Sequence, residues 1–94
     1  MKAIICNKWC KPEDLNILEV ASPKLEADSV RIDVYAAGVN FPDVLIIQGK
    51  YQYKPQFPFS PGSEVSGIIS EIGAEVKGFK VGDRVMAVTG HGAF

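Results

Sequence analysis

The sequence is poor in the residues on which several classes of site depend. It has two cysteines, one histidine and a formal net charge of −1. No excess or stripe of Lys and Arg points to nucleic acid or to an anionic membrane surface. The longest apolar run, residues 44–47, is far too short to cross a bilayer, and polar residues from Asn7 onward exclude a signal peptide. We therefore expect one small cytoplasmic domain without a nucleic-acid or membrane partner.

The two thiols, Cys6 and Cys10, do not by themselves indicate a site. A disulfide is compatible with their number, but a cytosolic location favours free thiols. A metal site would need further ligands, and the only histidine, His91, is distant in sequence. We interpret the pair as one strand thiol and one loop thiol, with neither a metal nor a redox role.

The apolar pattern predicts a mainly β protein. Strands are indicated at residues 2–6, 15–20, 30–36, 65–72 and 84–88. The third alternates strictly, with Val30, Ile32, Val34 and Ala36 expected on its buried face. Within the fourth, Gly67 should mark a bulge or a close backbone contact. Short strands separated by Gly and Pro, with little helix, favour a small barrel or sandwich.

One short helix is predicted from Pro42 to about Gln48. Asn40 is suited to cap it, and Gly49 is suited to its left-handed exit. Asp43 would be a first-turn carboxylate stabilised by the helix dipole. These structural roles account for Asn40 and Asp43, yet an amide at this place could also donate to a substrate carbonyl on which negative charge builds.

The segment between Gly49 and Gly62 is rich in aromatic residues and proline. Tyr51 and Tyr53 could seal an edge of the core, or line a pocket for a flat, apolar quinone or enone. The glycines that follow do not form the Gly-x-Gly-x-x-Gly fingerprint, and no helix pattern comes after them. Any nicotinamide cofactor should therefore bind outside these residues.

Four segments together carry a family resemblance: AAGVNFPD at 36–43, QGKY at 48–51, FPFSPGSEVSG at 57–67 and IGAEVKGFKVGDRV at 72–85. Their order and spacing resemble the quinone oxidoreductase, zeta-crystallin-like branch of the medium-chain dehydrogenases/reductases. The resemblance implies that residues 1–94 form a GroES-like, partly open β-barrel with one or two short helices. In complete members a Rossmann domain that binds NADPH follows this substrate domain.

The resemblance also implies an activity, namely hydride transfer from NADPH to a quinone or an α,β-unsaturated carbonyl. Zinc alcohol dehydrogenases of the same family carry Cys and His at the positions of Asn40 and Ser63. Neither an amide nor a hydroxyl is a good zinc ligand, so the resemblance is to the zinc-free branch. By position, Asn40 would contact the substrate carbonyl from the nicotinamide side, and Asp43 would fix its loop.

Three further residues are carried over by position to the substrate pocket. Tyr51 would line it, Leu45 could pack against a ring, and Glu64 would lie beside the cleft. Some quinone reductases have a basic residue at the position of Ile47, which is aliphatic here. That difference leaves open a reductase of another activated alkene, such as an enoyl or acryloyl thioester. A freestanding, non-catalytic β-barrel binding module is the remaining alternative.

Two expectations concern the 94-residue chain by itself. Without a dinucleotide-binding motif it should not turn over substrate. A barrel without its Rossmann partner would expose apolar surface, so we expect a homodimer formed through the edge at residues 85–94.

Overall fold

The computed structural model describes residues 1–94 and contains five strands and one α-helix. They are β1 (Lys2–Ile5), β2 (Asn16–Glu19), β3 (Val30–Ala37), α1 (Phe41–Ile47), β4 (Glu64–Ile72) and β5 (Arg84–Val88), with a short 3₁₀ turn at Pro12–Asp14. Each strand ends within one residue of its predicted bounds, and the mainly β class is confirmed. The strands form two separate sheets rather than a closed barrel.

The smaller sheet is the antiparallel pair of β1 and β2, in which Ala3 lies opposite Leu18. Directly after β1, Cys6 forms an isolated bridge with Phe59. The Cys6 N–H donates to the Phe59 carbonyl (2.8 Å), and the Phe59 N–H donates back to the Cys6 carbonyl (3.1 Å). This bridge ties the two-stranded sheet to the aromatic segment that precedes β4.

The larger sheet has the antiparallel order β3-β4-β5, with Val65 opposite Ala37 on one side and Ala87 on the other. A Cβ atom on Gly67 would lie 2.1 Å from the Asp33 carbonyl oxygen, which no side chain tolerates. The close backbone contact predicted at Gly67 is therefore confirmed, and the β3–β4 register also shifts opposite it.

The strict alternation predicted for β3 is wrong in the second half of the strand. Val34 and Tyr35 are 48% and 76% exposed, and Ala36 is exposed as well. A register shift between Val34 and Ala36 leaves Tyr35 without a partner in β4, which breaks the period of two. In addition, no other element packs over this end of the sheet, so neither face of β3 is covered there.

The apolar core lies between the end of β1 and the end of α1. Its buried members are Cys6, Ile46, Ile47 and Phe59. Burying side chains of this size stabilises the fold by roughly 1.5–3 kcal/mol each. Three partly buried residues pack against this cluster, namely Cys10, Leu15 and Tyr51. No helix in the structure is long and apolar enough to span a membrane.

Candidate functional site

An open groove of about 520 Å³ crosses the end of the three-stranded sheet. It is lined by Ala36 and Ala37 at the end of β3 with the adjacent Gly38, by Glu64, Val65 and Ser66 in β4, and by Met86, Ala87 and Val88 in β5. Glu64 is the only ionisable side chain among them. A second groove of about 610 Å³ lies next to it and shares Ser66 and Met86. The first groove suits a flat, apolar molecule better than a charged one, whereas Arg84 lines the second.

Glu64 reaches the groove because the residue opposite it is glycine. The Gly38 N–H donates to the Glu64 carbonyl (3.2 Å), which extends the β3–β4 ladder by one step. A Cβ on Gly38 would lie 2.0 Å from Glu64 Oε1, so the carboxylate occupies the space that a side chain would fill. Glu64, predicted to lie beside a cleft, is thus one of the residues that line this groove.

Asn40 lies two residues past Gly38 and is the N-cap of α1, with extended backbone angles (φ −123°, ψ 160°). Its N–H donates to Asp43 Oδ2 (2.8 Å), and the Asp43 N–H donates to the Asn40 carbonyl (3.0 Å). The Asp43 side chain is buried, whereas Asn40 is exposed and its amide makes no capping hydrogen bond. The backbone of Asn40 is therefore held in place while its side-chain amide stays free to bind another molecule.

Leu45 and Tyr51 lie toward the other end of α1, which is about 10 Å long. Tyr51 packs against the apolar core cluster, and Leu45 is half-buried. Ile47 is 2% exposed and belongs to the core, so its aliphatic character serves packing. Of the predicted site residues, only Glu64 lines the groove. Asn40 and Asp43 lie at the start of α1, on the segment that follows Gly38, and Leu45 and Tyr51 lie further along the chain.

A contact that sequence reasoning missed joins Tyr53 to His91. The Tyr53 hydroxyl and His91 Nδ1 are 2.5 Å apart, and the His91 ring packs edge-on against Phe59 with centroids 6.1 Å apart. The two residues are 38 positions apart, and no local pattern couples them. Positive φ angles at Gly90 and Gly92 (76° and 99°) turn the chain back toward the aromatic segment, which glycine spacing alone could not reveal.

The residues present do not form a metal centre or a dinucleotide cradle. No group of three or more His, Cys, Asp or Glu side chains is placed to hold a metal ion. At the start of α1 the Asn40 N–H is already bonded to the Asp43 carboxylate, whose charge would repel a pyrophosphate. Gly67 lies inside β4, against backbone, and is not part of a phosphate-binding turn.

Comparison with known proteins gives the family. Residues 26–93 match the alcohol dehydrogenase GroES-like domain. The chain belongs to this family. It is 44% identical over 88 residues to quinone oxidoreductase-like protein 2 of the rat, Rattus norvegicus, which covers 94% of this chain and 25% of that protein. The chain thus spans about a quarter of the length of such relatives.

Solved structures agree with this assignment over nearly the whole chain. The human synaptic vesicle membrane protein VAT-1 homolog-like protein superposes with a TM-score of 0.94 at 35% identity, over 100% of this chain and 30% of that one. The Escherichia coli quinone oxidoreductase complexed with NADPH gives a TM-score of 0.91 at 34% identity, over 99% and 28% respectively. The GroES-like fold and the resemblance to quinone oxidoreductases are confirmed.

Proposed function

We propose that this chain forms the substrate side of an NADPH-dependent, zinc-independent quinone oxidoreductase that reduces a quinone or an α,β-unsaturated carbonyl. The observation that carries the proposal is the free Asn40 amide, whose backbone is held by buried Asp43, two residues past Gly38 in the lining of an apolar groove. The 44% identity to quinone oxidoreductase-like protein 2 and the superposition on the E. coli enzyme support it. Because the chain spans only part of these relatives, the activity is proposed for the longer parent protein.

Zinc independence follows from the chemistry of the available donors. Zinc in proteins is held by thiolate, imidazole and carboxylate groups. Asn40 and Ser63 offer an amide and a hydroxyl at the two positions where the zinc enzymes have ligands. Glu64 alone would be a single ligand, too few for a zinc site. We therefore assign no step of the reaction to a metal.

The start of α1 is not suited to the phosphates of NADPH, because the Asn40 N–H is already bonded to the Asp43 carboxylate. We assign their binding to the part of the parent protein beyond these residues. When bound there, NADPH supplies the hydride. The 94-residue chain by itself is expected to show no NADPH-dependent turnover.

Asn40 is proposed to hold the acceptor. Its amide N–H can donate to the carbonyl oxygen, where negative charge accumulates as the neighbouring carbon is reduced. Asp43 fixes the backbone that carries this donor, so the donor needs little reorganisation when substrate binds. Glu64 is the only ionisable residue that lines the groove, which favours a neutral reacting group there, while Arg84 lines the adjoining groove.

The test is steady-state reduction of a 1,4-quinone by the full-length protein with NADPH. Asn40→Ala should lower kcat/KM by roughly 100- to 1,000-fold, because it removes one donor to the developing oxyanion. Asn40→Asp keeps the shape of the side chain but replaces its N–H donor by a carboxylate oxygen. The kcat/KM of this variant should be at least as low as that of Asn40→Ala. Asn16→Ala is the matched control, since Asn16 is an exposed asparagine on β2, and its activity should equal wild type.

Two outcomes would overturn the proposal. If Asn40→Ala keeps kcat/KM within about twofold of wild type, Asn40 does not hold the acceptor. If the full-length wild-type protein binds NADPH but reduces neither quinones nor enones, the assignment as a quinone or enone reductase is wrong. A non-catalytic binding module would then be the better interpretation.

A further inference from the structure

The two cysteines, interpreted from the sequence as separate thiols, lie side by side. Cys6 Sγ and Cys10 Sγ are 3.8 Å apart. Cys6 is 1% exposed, whereas Cys10 is half-buried. Cys10 is thus the more accessible residue of the two, and Cys6 lies beside it inside the core.

Backbone contacts at both ends of the short connecting loop hold this arrangement. Cys6 is fixed by its bridge to Phe59, and the Cys10 N–H donates to the Ile47 carbonyl (2.8 Å). The Cys6 thiol also donates to the carbonyl of Lys8 within the loop (3.1 Å). The fold therefore fixes the backbone at both cysteines, and this holds the two sulfur atoms close together.

We propose that Cys6 and Cys10 form an oxidisable dithiol, a modification site that a low-molecular-weight disulfide such as oxidised glutathione converts into an intramolecular disulfide. A disulfide bond is about 2.05 Å long, so the sulfur atoms must come closer than their present 3.8 Å contact. Rotation of the more exposed Cys10 side chain can supply this movement while the hydrogen-bonded backbone of the loop stays in place.

The reaction runs in two exchange steps. The Cys10 thiolate attacks one sulfur of the glutathione disulfide, whose S–S bond breaks, and a glutathione thiolate leaves. Cys6 then gives its proton to that thiolate or to solvent and attacks Cys10 Sγ, which forms the protein disulfide and releases the second glutathione. In total the dithiol loses two electrons and two protons, and one glutathione disulfide is reduced to two thiols.

Burial assigns the order of attack. It raises the pKa of Cys6 to about 11, so this thiol is protonated at neutral pH and is a poor first nucleophile. Cys10 is also the sulfur that a reagent can reach from solvent. Cys10 therefore attacks first and Cys6 resolves the mixed disulfide.

The loop between the sulfurs contains the only tryptophan of the chain, which reports on the reaction. Trp9 packs edge-on against Phe57 with ring centroids 4.5 Å apart, and it lies against Gly49, where a Cβ would be 2.9 Å from the indole. A disulfide between Cys6 and Cys10 closes this loop into a ring. The indole must then move relative to these neighbours or lose mobility against them. Formation of the disulfide is therefore expected to change the fluorescence of Trp9.

The experiment treats the reduced full-length protein with an excess of oxidised glutathione, blocks remaining thiols and digests with trypsin without reduction. Trypsin cuts after Lys8, between the two cysteines, so the disulfide would join the peptides that span residues 3–8 and 9–24. We expect this linked pair, its loss on treatment with dithiothreitol, and a change in Trp9 fluorescence on the same time course.

Two variants separate the roles of the sulfurs. In the Cys6→Ser variant the reaction should stop after the first exchange step, so that glutathione accumulates on Cys10. Cys10→Ser should give neither the linked peptides nor glutathione on Cys6. If Cys6→Ser fails to fold, judged by circular dichroism, Cys6→Ala replaces it in the core. The proposal is overturned if the wild-type protein gives no linked peptides, or if Cys10→Ser takes up glutathione as fast as wild type.

Discussion

At the scale of single residues, burial changes the acid–base behaviour of Cys6. The folded protein keeps this side chain 1% exposed, next to the thiol of Cys10. Burial, and after it the neighbouring Cys10 thiol, raise the pKa of Cys6 from 9.0 to about 11. Both effects disfavour the thiolate, because its negative charge has neither water nor a cation to stabilise it there.

The stability of the fold should consequently fall between about pH 9 and pH 11. In this range the unfolded chain releases the Cys6 proton, whereas the folded chain retains it, so the unfolded state gains stability as pH rises. Urea unfolding at a series of pH values measures the effect. Cys6→Ser should flatten this part of the profile, and Cys10→Ser should largely keep it. If the stability of Cys6→Ser falls with pH as steeply as that of the wild type, the fall does not arise from the Cys6 thiol.

Single residues also show where prediction from sequence succeeded. Asn40 as a cap and Asp43 as a first-turn carboxylate predicted the start of α1 to within one residue, because these signals act within one turn of the chain. The contacts between Tyr53 and His91 and between the two thiols were not predicted. The first joins distant segments, and the second depends on how a loop is held by Phe59 and Ile47, which are far away in sequence.

At the scale of elements, the chain contains two helix starts built in the same way. Asp43 Oδ2 accepts the Asn40 N–H at the start of α1 (2.8 Å), and Asp14 Oδ2 accepts the Lys11 N–H at the 3₁₀ turn (3.2 Å). The first carboxylate is buried and the second is exposed. The pair therefore offers an internal comparison of one interaction in two environments.

Asp43→Ala should lower the free energy of unfolding by about 1–2 kcal/mol, because it removes a charge-assisted bond and leaves a backbone N–H without its partner. Asp14→Ala should cost less than about 0.5 kcal/mol, since water replaces the exposed carboxylate. Chemical denaturation of both variants checks the difference. Equal losses would show that burial of Asp43 adds nothing to its capping role.

The bounds of the strands and of α1, which depend on local signals, were predicted well. The interruption of β3, which depends on strand pairing, was not predicted. The five strands and α1 are bounded by glycine, proline and polar turns, which act within a few residues. The interruption of β3 has a different origin. It arises where Val34 and Ala36 pair with Gly67 and Ser66, 30 or more residues away, so the sequence of β3 alone contains no sign of it.

At the scale of the whole molecule, one face of the large sheet is left open. Met86 and Val88 are each 88% exposed on β5, and Val39 and Phe41 are exposed to more than 70% on the segment that follows β3. Residues 92–94, in contrast, already hydrogen-bond to residues 60–62. The dimer expected from the sequence would therefore use this open face and the β5 edge, and not the last residues of the chain.

Polar substitution of this face should weaken self-association without unfolding the domain. Met86→Gln combined with Val88→Thr is expected to change the free energy of unfolding by less than about 0.5 kcal/mol, because both side chains are already exposed. Sedimentation of the 94-residue chain should shift toward the monomer. Val65→Thr, at a buried position of the neighbouring strand, is the contrast and should destabilise the fold. Unchanged sedimentation of the double variant would argue against a dimer through this face.

The contact between the two ends of the chain has a consequence for synthesis in the cell. The Ile4 N–H donates to the carbonyl of Phe94 (3.1 Å), so β1 acquires this partner only when the ninety residues after Ile4 have been made. At about 5–20 residues per second, this takes roughly 5–20 s on the ribosome. During that interval the first strand can pair with β2 but cannot complete its docking, and its apolar residues are open to chaperones.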